Sequence, residues 1–92
     1  MGTYKLSRAA EADLNRIWLY GFERYGQQQA DRYYHALFDR FEEIANNPYL
    51  YQAVDHIREG YRRSACGVDA IYYRVNGEVV EIINILGKQD LI

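Results

Sequence analysis

The chain predicts an α+β domain with element order β-α-α-β-β-β, a helical hairpin packed on an antiparallel sheet. Three observations carry this. Apolar residues recur with helical spacing over residues 8 to 46 and break once, at Gly26. β-Branched and aromatic runs fill the last third of the chain and are joined by an Asn-Gly pair. A short alternating segment precedes the first helix. At 92 residues, residues 1–92 make a single domain with a small core.

The first element is "TYKLS", whose alternation places Tyr4 and Leu6 on one face of a short strand. Ser7 is suited to cap the helix that follows, because its hydroxyl can accept from a free amide of the first turn. Ala10, Leu14, Ile17, Gly21 and Tyr25 are spaced by threes and fours and share one helical face, which Trp18 and Phe22 widen. Gly26 is expected to stop this helix in the left-handed conformation.

The second helix is expected from Gln27, with Ala30, Tyr34, Leu37, Phe41 and Ile44 forming the seam against the first. "NNP" ends it, since Pro48 disfavours helical geometry in the residue before it. "YLYQAVDHIREG" reads as an irregular link. "YRRSA", "DAIYYRV" and "EVVEIINIL" are the remaining strands, and Asn76-Gly77 predicts a type I′ hairpin between the last two.

Charge and composition exclude several roles. Eleven basic and thirteen acidic residues leave a net charge near −2, without the basic bias of a general nucleic-acid binder. Helix two balances Arg32 and Arg40 against four acids, which is unlike a DNA-reading helix. A lone cysteine, Cys66, cannot form an internal disulfide and reads as a small buried apolar residue in a reducing cytoplasm. His35 and His56 lack metal-ligand spacing, and no phosphate-cradling glycine loop or nucleophile elbow is present. No cofactor and no membrane segment is expected. Ten tyrosines are many for this length; with their large area and few rotamers they suit an interface.

The strings "YKLSRAAEADLNRIWLYGFERYGQQQADRYYHALFDRFEEIANNP", "IREGYRR" and "IYYRVNGEVVEIINIL", in this order, resemble the ParE toxins of the RelE/ParE superfamily. The resemblance covers nearly the whole chain. It implies a toxin of a type II toxin–antitoxin pair that inhibits DNA gyrase by binding it, with the A subunit the expected partner. A ParD-like antitoxin would neutralise it, and DNA would be met only indirectly, through antitoxin or gyrase.

The alternative inside the superfamily is a RelE-like ribosome-dependent mRNA endonuclease. Cleavage at a 2′-hydroxyl needs a base, an acid and cations for the transition state. RelE-like enzymes resemble this chain at Gly87-Lys88 but continue with an arginine and, slightly later, a tyrosine. Here Gln89 stands in the arginine's place, and neutral glutamine offers no bidentate cation. The sequence reaches Ile92 without the tyrosine. The expectation is therefore a non-enzymatic protein or, failing activity, an inert interaction module of the same fold.

The resemblance directs attention to Lys88, Gln89, Asp90 and Leu91 as gyrase contacts. Candidate antitoxin contacts are Trp18 and Phe22, which either complete the core or line a groove for an amphipathic helix, and the cations Arg58, Arg62, Arg63 and Arg74. Arg62 and Arg63 must point to opposite faces of one strand. Only one of them is expected to meet a partner, the other pairing with Glu59 or Glu81.

Overall fold

A computed structural model describes residues 2–87. It contains β1 (Thr3–Leu6), α1 (Arg8–Tyr25), α2 (Gln27–Asn46), β2 (Gln52–Ala53), β3 (Tyr61–Cys66), β4 (Asp69–Asn76) and β5 (Val79–Gly87). The helical hairpin covers one side of a five-stranded sheet ordered β1-β5-β4-β3-β2. The predicted elements are present in the predicted order, and the sheet is mixed. β2 to β5 run antiparallel, whereas β1 joins β5 in parallel, Tyr4 opposite Val80 and Leu6 opposite Ile82. The parallel pair arises because the helical hairpin and the meander return the last strand to the side of the first. β2 is a second addition, a two-residue strand inside the link expected to be irregular.

Local chemistry sets the boundaries. The Ser7 hydroxyl accepts from Ala10 N at 2.9 Å and donates to Ile83 O at 2.7 Å, so the cap of α1 also ties it to β5. Gly26 ends α1 and begins α2 with φ +89° and ψ 171°. That conformation needs glycine, yet it lies outside the left-handed helical well that the sequence suggested. The β4–β5 hairpin also differs from expectation. Asn76 pairs with Val79 and keeps a negative φ, so the two turn residues are Gly77 and Glu78. Gly77, at φ +64°, takes the first turn position alone, as in a type II′ arrangement. The β3–β4 turn repeats this with Gly67 first, at φ +61°.

The core lies between hairpin and sheet. Ala10, Leu14 and Ile17 of α1 and Leu37, Phe41 and Ile44 of α2 pack on Ile71, Tyr73, Val80, Ile82 and Ile85. Tyr4 and Phe38 close on Phe41 at 5.5 and 5.2 Å between ring centres. A bulge between Tyr72 and Tyr73 shifts the β4–β5 register, leaving Tyr73 opposite Ile82 and Ile71 opposite Ile85, all facing the helices. The opposite side of the sheet carries only a small cluster, Val54, Ala70 and Tyr72, with Tyr61 and Leu86 packed against it.

β1 and β2 are short, so parts of β5 and β3 extend beyond any outer strand. Bare strand edges invite pairing with other chains. Here helix side chains fill the edges. Asp13 accepts from Ile85 N at 2.9 Å, and Arg16 donates to Ile85 O at 3.0 Å. On the other side Arg40 donates to Ala65 O and, at 2.8 Å, to Ser64 Oγ.

Candidate functional site

α1 overruns the sheet at the end where α1 turns into α2. Ile17, Tyr20 and Gly21 there face Ala30 and Tyr33 of α2 and Val68 of the β3–β4 turn across an open, mainly apolar groove of about 670 Å³. Tyr25, expected on the buried stripe, instead lines this mouth with 61% of its surface exposed, because its turn of helix has no sheet beneath it.

Tyr33 forms the polar floor. Its hydroxyl lies 2.7 Å from both Cys66 O and Asp69 Oδ2, one proton placed between two acceptors. Burial, reinforced by the hydrogen bond to Asp69, pushes its ionisation far above the usual tyrosine range. A tyrosine so held is no base near neutrality; it positions the turn. Gly67 passes directly beneath it, and a side chain there would come within 2.6 Å of the Tyr33 ring. Cys66 is buried as expected, and burial raises its thiol pKa, which removes nucleophilic character. Among the described residues no three His, Cys, Asp or Glu gather to hold a metal. Chemically the groove is suited to receive apolar side chains.

Trp18 and Phe22 do not line the groove. They stack at 5.1 Å on another flank of the hairpin. Trp18 is half-buried and donates its indole N–H to Asp31 Oδ1 at 2.8 Å, pinning α1 to α2, while Phe22 is 44% exposed.

The predicted cations divide between the two faces of the sheet. Arg62 points to the helix side, where its guanidinium donates to Tyr51 O at 2.7 Å and lies 5.0 Å over the Tyr49 ring. It fastens the β2 link. Arg63, opposite Gln52 and Tyr72, occupies the open side, as the opposite-faces expectation requires. Arg74 shares that side and, with Lys5, binds Glu81; Lys5 Nζ lies 3.3 Å from the carboxylate. The hydrogen bond from Arg74 holds the Glu81 carboxyl below the usual carboxylate range. Among the described residues no ion pair joins Arg62 or Arg63 to either Glu59 or Glu81, contrary to expectation. Arg58 lies 5.7 Å over Tyr61 on the open side. Lys88, Gln89, Asp90 and Leu91 fall outside the described residues.

Sequence reading missed the groove residues Tyr20, Tyr33, Val68 and Asp69. One signal was available, a glycine followed by one residue between two strands at Gly67-Val68, which marks a tight turn. The pairing of Tyr33 with that turn across 36 positions had none.

The described residues thus form a two-helix hairpin on a small mixed sheet, with an apolar groove at one end, Arg40 and Arg62 engaged by backbone carbonyls, and Arg74 and Lys5 by Glu81. The profile of the ParE toxin of type II toxin–antitoxin systems (parDE) matches residues 4–91. The chain is 45% identical to Toxin ParE1 of Caulobacter vibrioides over 86 residues, covering 94% of this chain and 88% of that protein. It is 38% identical to Toxin ParE1 of Mycobacterium tuberculosis over 87 residues, covering 94% and 89%. A chain of the chromosomal ParDE system of P. aeruginosa shares the fold with TM-score 0.83 at 19% identity, covering 95% of this chain and 96% of that one. A conserved hypothetical protein of Helicobacter pylori shares it with TM-score 0.65 at 16% identity over the full length of both. The chain belongs to the ParE family, the toxins of parDE-type type II toxin–antitoxin systems.

Proposed function

We propose that this ParE-type toxin arrests growth by binding DNA gyrase in the cytoplasm, without breaking a covalent bond itself, and that a ParD-like antitoxin neutralises it. Family membership supports the antitoxin partner. The observation that carries the non-catalytic reading is the state of the cations. Arg62 is engaged with backbone carbonyls, and Arg74 and Lys5 with Glu81. Ribonucleolytic chemistry instead needs cations directed at a phosphate together with a group that moves a proton near neutral pH. The two tyrosines held most firmly, Tyr33 and Tyr73, keep their protons.

In this proposal Lys88, Gln89, Asp90 and Leu91 contact gyrase. Trp18 and Phe22 on the hairpin, with Arg58, Arg63 and Arg74 on the open sheet face, are available to the antitoxin. Arg62 fastens the segment leading into β2 through Tyr51 O. The test is incubation of the purified toxin with gyrase, ATP and supercoiled plasmid. Accumulation of the gyrase–DNA cleavage complex, suppressed by the cognate antitoxin, is expected. Cleavage of ribosome-bound mRNA, with gyrase unaffected, would reverse the reading.

A further inference from the structure

β1 covers β5 only as far as Ile82, and β5 runs on to Gly87 with no strand beside it on that side among the described residues. Three backbone groups of this overhang are turned outward, Ile83 O, Ile85 N and Ile85 O. The Ser7 hydroxyl donates to Ile83 O at 2.7 Å, Asp13 Oδ2 accepts from Ile85 N at 2.9 Å, and Arg16 donates to Ile85 O at 3.0 Å. Asp13 and Arg16 stand three residues apart on α1, and Asp13 Oδ1 lies 3.5 Å from the Arg16 guanidinium. Together they offer Ile85 an acceptor for its N–H and a donor for its C=O. Those are the two bonds that one residue of an antiparallel neighbour would exchange with it.

The pair thus stands in for a strand residue on a stretch that suits a real one. Ile82–Gly87 reads "IINILG", rich in β-branched residues, uncharged and free of proline, a composition prone to pair with copies of itself. About a two-fold axis at Ile85, residues 83–87 of one copy would lie antiparallel to residues 83–87 of another, each Ile85 receiving both bonds. A second copy is therefore the occupant this edge fits. The Arg16 side chain is 42% exposed and that of Asp13 15%, so side chains at the surface, and not the fold, block the edge.

We propose that Asp13 and Arg16 guard β5: by imitating a strand residue they keep the toxin from pairing edge to edge with a second copy of itself. The guard belongs to the isolated toxin and operates whatever target the toxin binds.

Sedimentation of the full-length protein over a concentration series tests it. Asp13→Ala with Arg16→Ala removes both halves of the imitation without altering net charge, and is expected to dimerise at least ~10-fold more tightly than the wild type. Arg8→Ala with Glu11→Ala, an exposed pair at the same spacing on the same helix, is the control and is expected to sediment as the wild type does. Asp13→Asn with Arg16→Lys keeps an acceptor and a donor and is expected to do the same. Hydrogen exchange at the Ile85 amide locates the contact: in the double alanine variant it should be fast in dilute solution and slow as concentration rises. Association no stronger than that of the wild type overturns the proposal. So does association that leaves Ile85 exchange unchanged, because the copies then meet elsewhere. Association of the Asp13→Asn, Arg16→Lys variant as strong as that of the double alanine variant overturns it too, since hydrogen bonding is then not what blocks the edge. Should the double alanine variant not fold, Arg16→Ala alone decides, because it removes a half-exposed side chain; no gain in association by that variant overturns the proposal.

Discussion

The two sides of the sheet are made of similar residues and do different things. On the helix side, polar groups are completed internally: Arg40 serves Ser64 and Ala65, Arg62 serves Tyr51, and the Tyr73 hydroxyl donates to Pro48 O at 2.6 Å. On the open side, Arg63 and Arg58 border a small apolar cluster, and Arg74 and Lys5 meet one carboxylate in water. An arginine directed at buried backbone acts as a fastener. The same residue on an exposed strand is worth little to folding and is available to a partner. Sequence alone does not distinguish Arg62 from Arg63.

The largest contrast is expected from the core. Phe41→Ala removes a fully buried ring that Tyr4 and Phe38 lean on and should cost about 3–5 kcal/mol by urea denaturation. Such a loss would leave a domain of this size largely unfolded at body temperature. A cost near that of an exposed substitution would mean the hairpin repacks freely. Next is Arg40→Met, which strips the partner from buried Ser64 and should cost about 1–3 kcal/mol. If it is neutral, the edge of β3 is held by something other than this fastener.

Alkaline titration sharpens the contrast further. Burial pushes Tyr73 up to about 12, and it raises Tyr33 and Cys66 as well. A group whose folded pKa is raised stabilises below its unfolded pKa and loses that contribution as pH climbs toward the folded value. Thermal midpoints should therefore fall progressively above about pH 9, where unfolded thiols and phenols begin to ionise. Tyr73→Phe should flatten that fall.

The smallest effect belongs to the open side. Glu81 is depressed, so its contribution is present above the unfolded carboxylate pKa and is lost as pH drops through the folded one. Arg74→Ala should return Glu81 toward an ordinary carboxylate in an NMR titration while leaving stability nearly unchanged. A large loss of stability would place Arg74 among the fasteners.

Much of the fold was legible because its signals are local. Ser7 caps, Gly26 breaks, Pro48 stops, and the β-branched runs pair with their sequence neighbours. What stayed hidden depends on contacts between distant residues. The parallel pairing of β1 with β5 joins the first and last of the described strands. Asp13 and Arg16 look like an ordinary surface pair at helical spacing, yet they complete the edge of β5 roughly 70 residues away. Trp18 was weighed between core and groove; it lies half-buried on the flank of the hairpin, where Asp31 accepts from its indole. The Asn76-Gly77 pair correctly announced a hairpin but misplaced its turn by one residue, since glycine in first position needs no asparagine before it.

The place of β5 has a bearing on how the protein is made. It is the last of the five described strands in chain order, yet it lies inside the sheet between β1 and β4, and its side chains complete the core. A nascent chain that lacks it leaves the helices without Val80, Ile82 and Ile85 beneath them, and β1 and β4 without the strand that joins them. Completion of the sheet must therefore wait until β5 has emerged, and a chain interrupted before that strand presents an unfinished core to proteases.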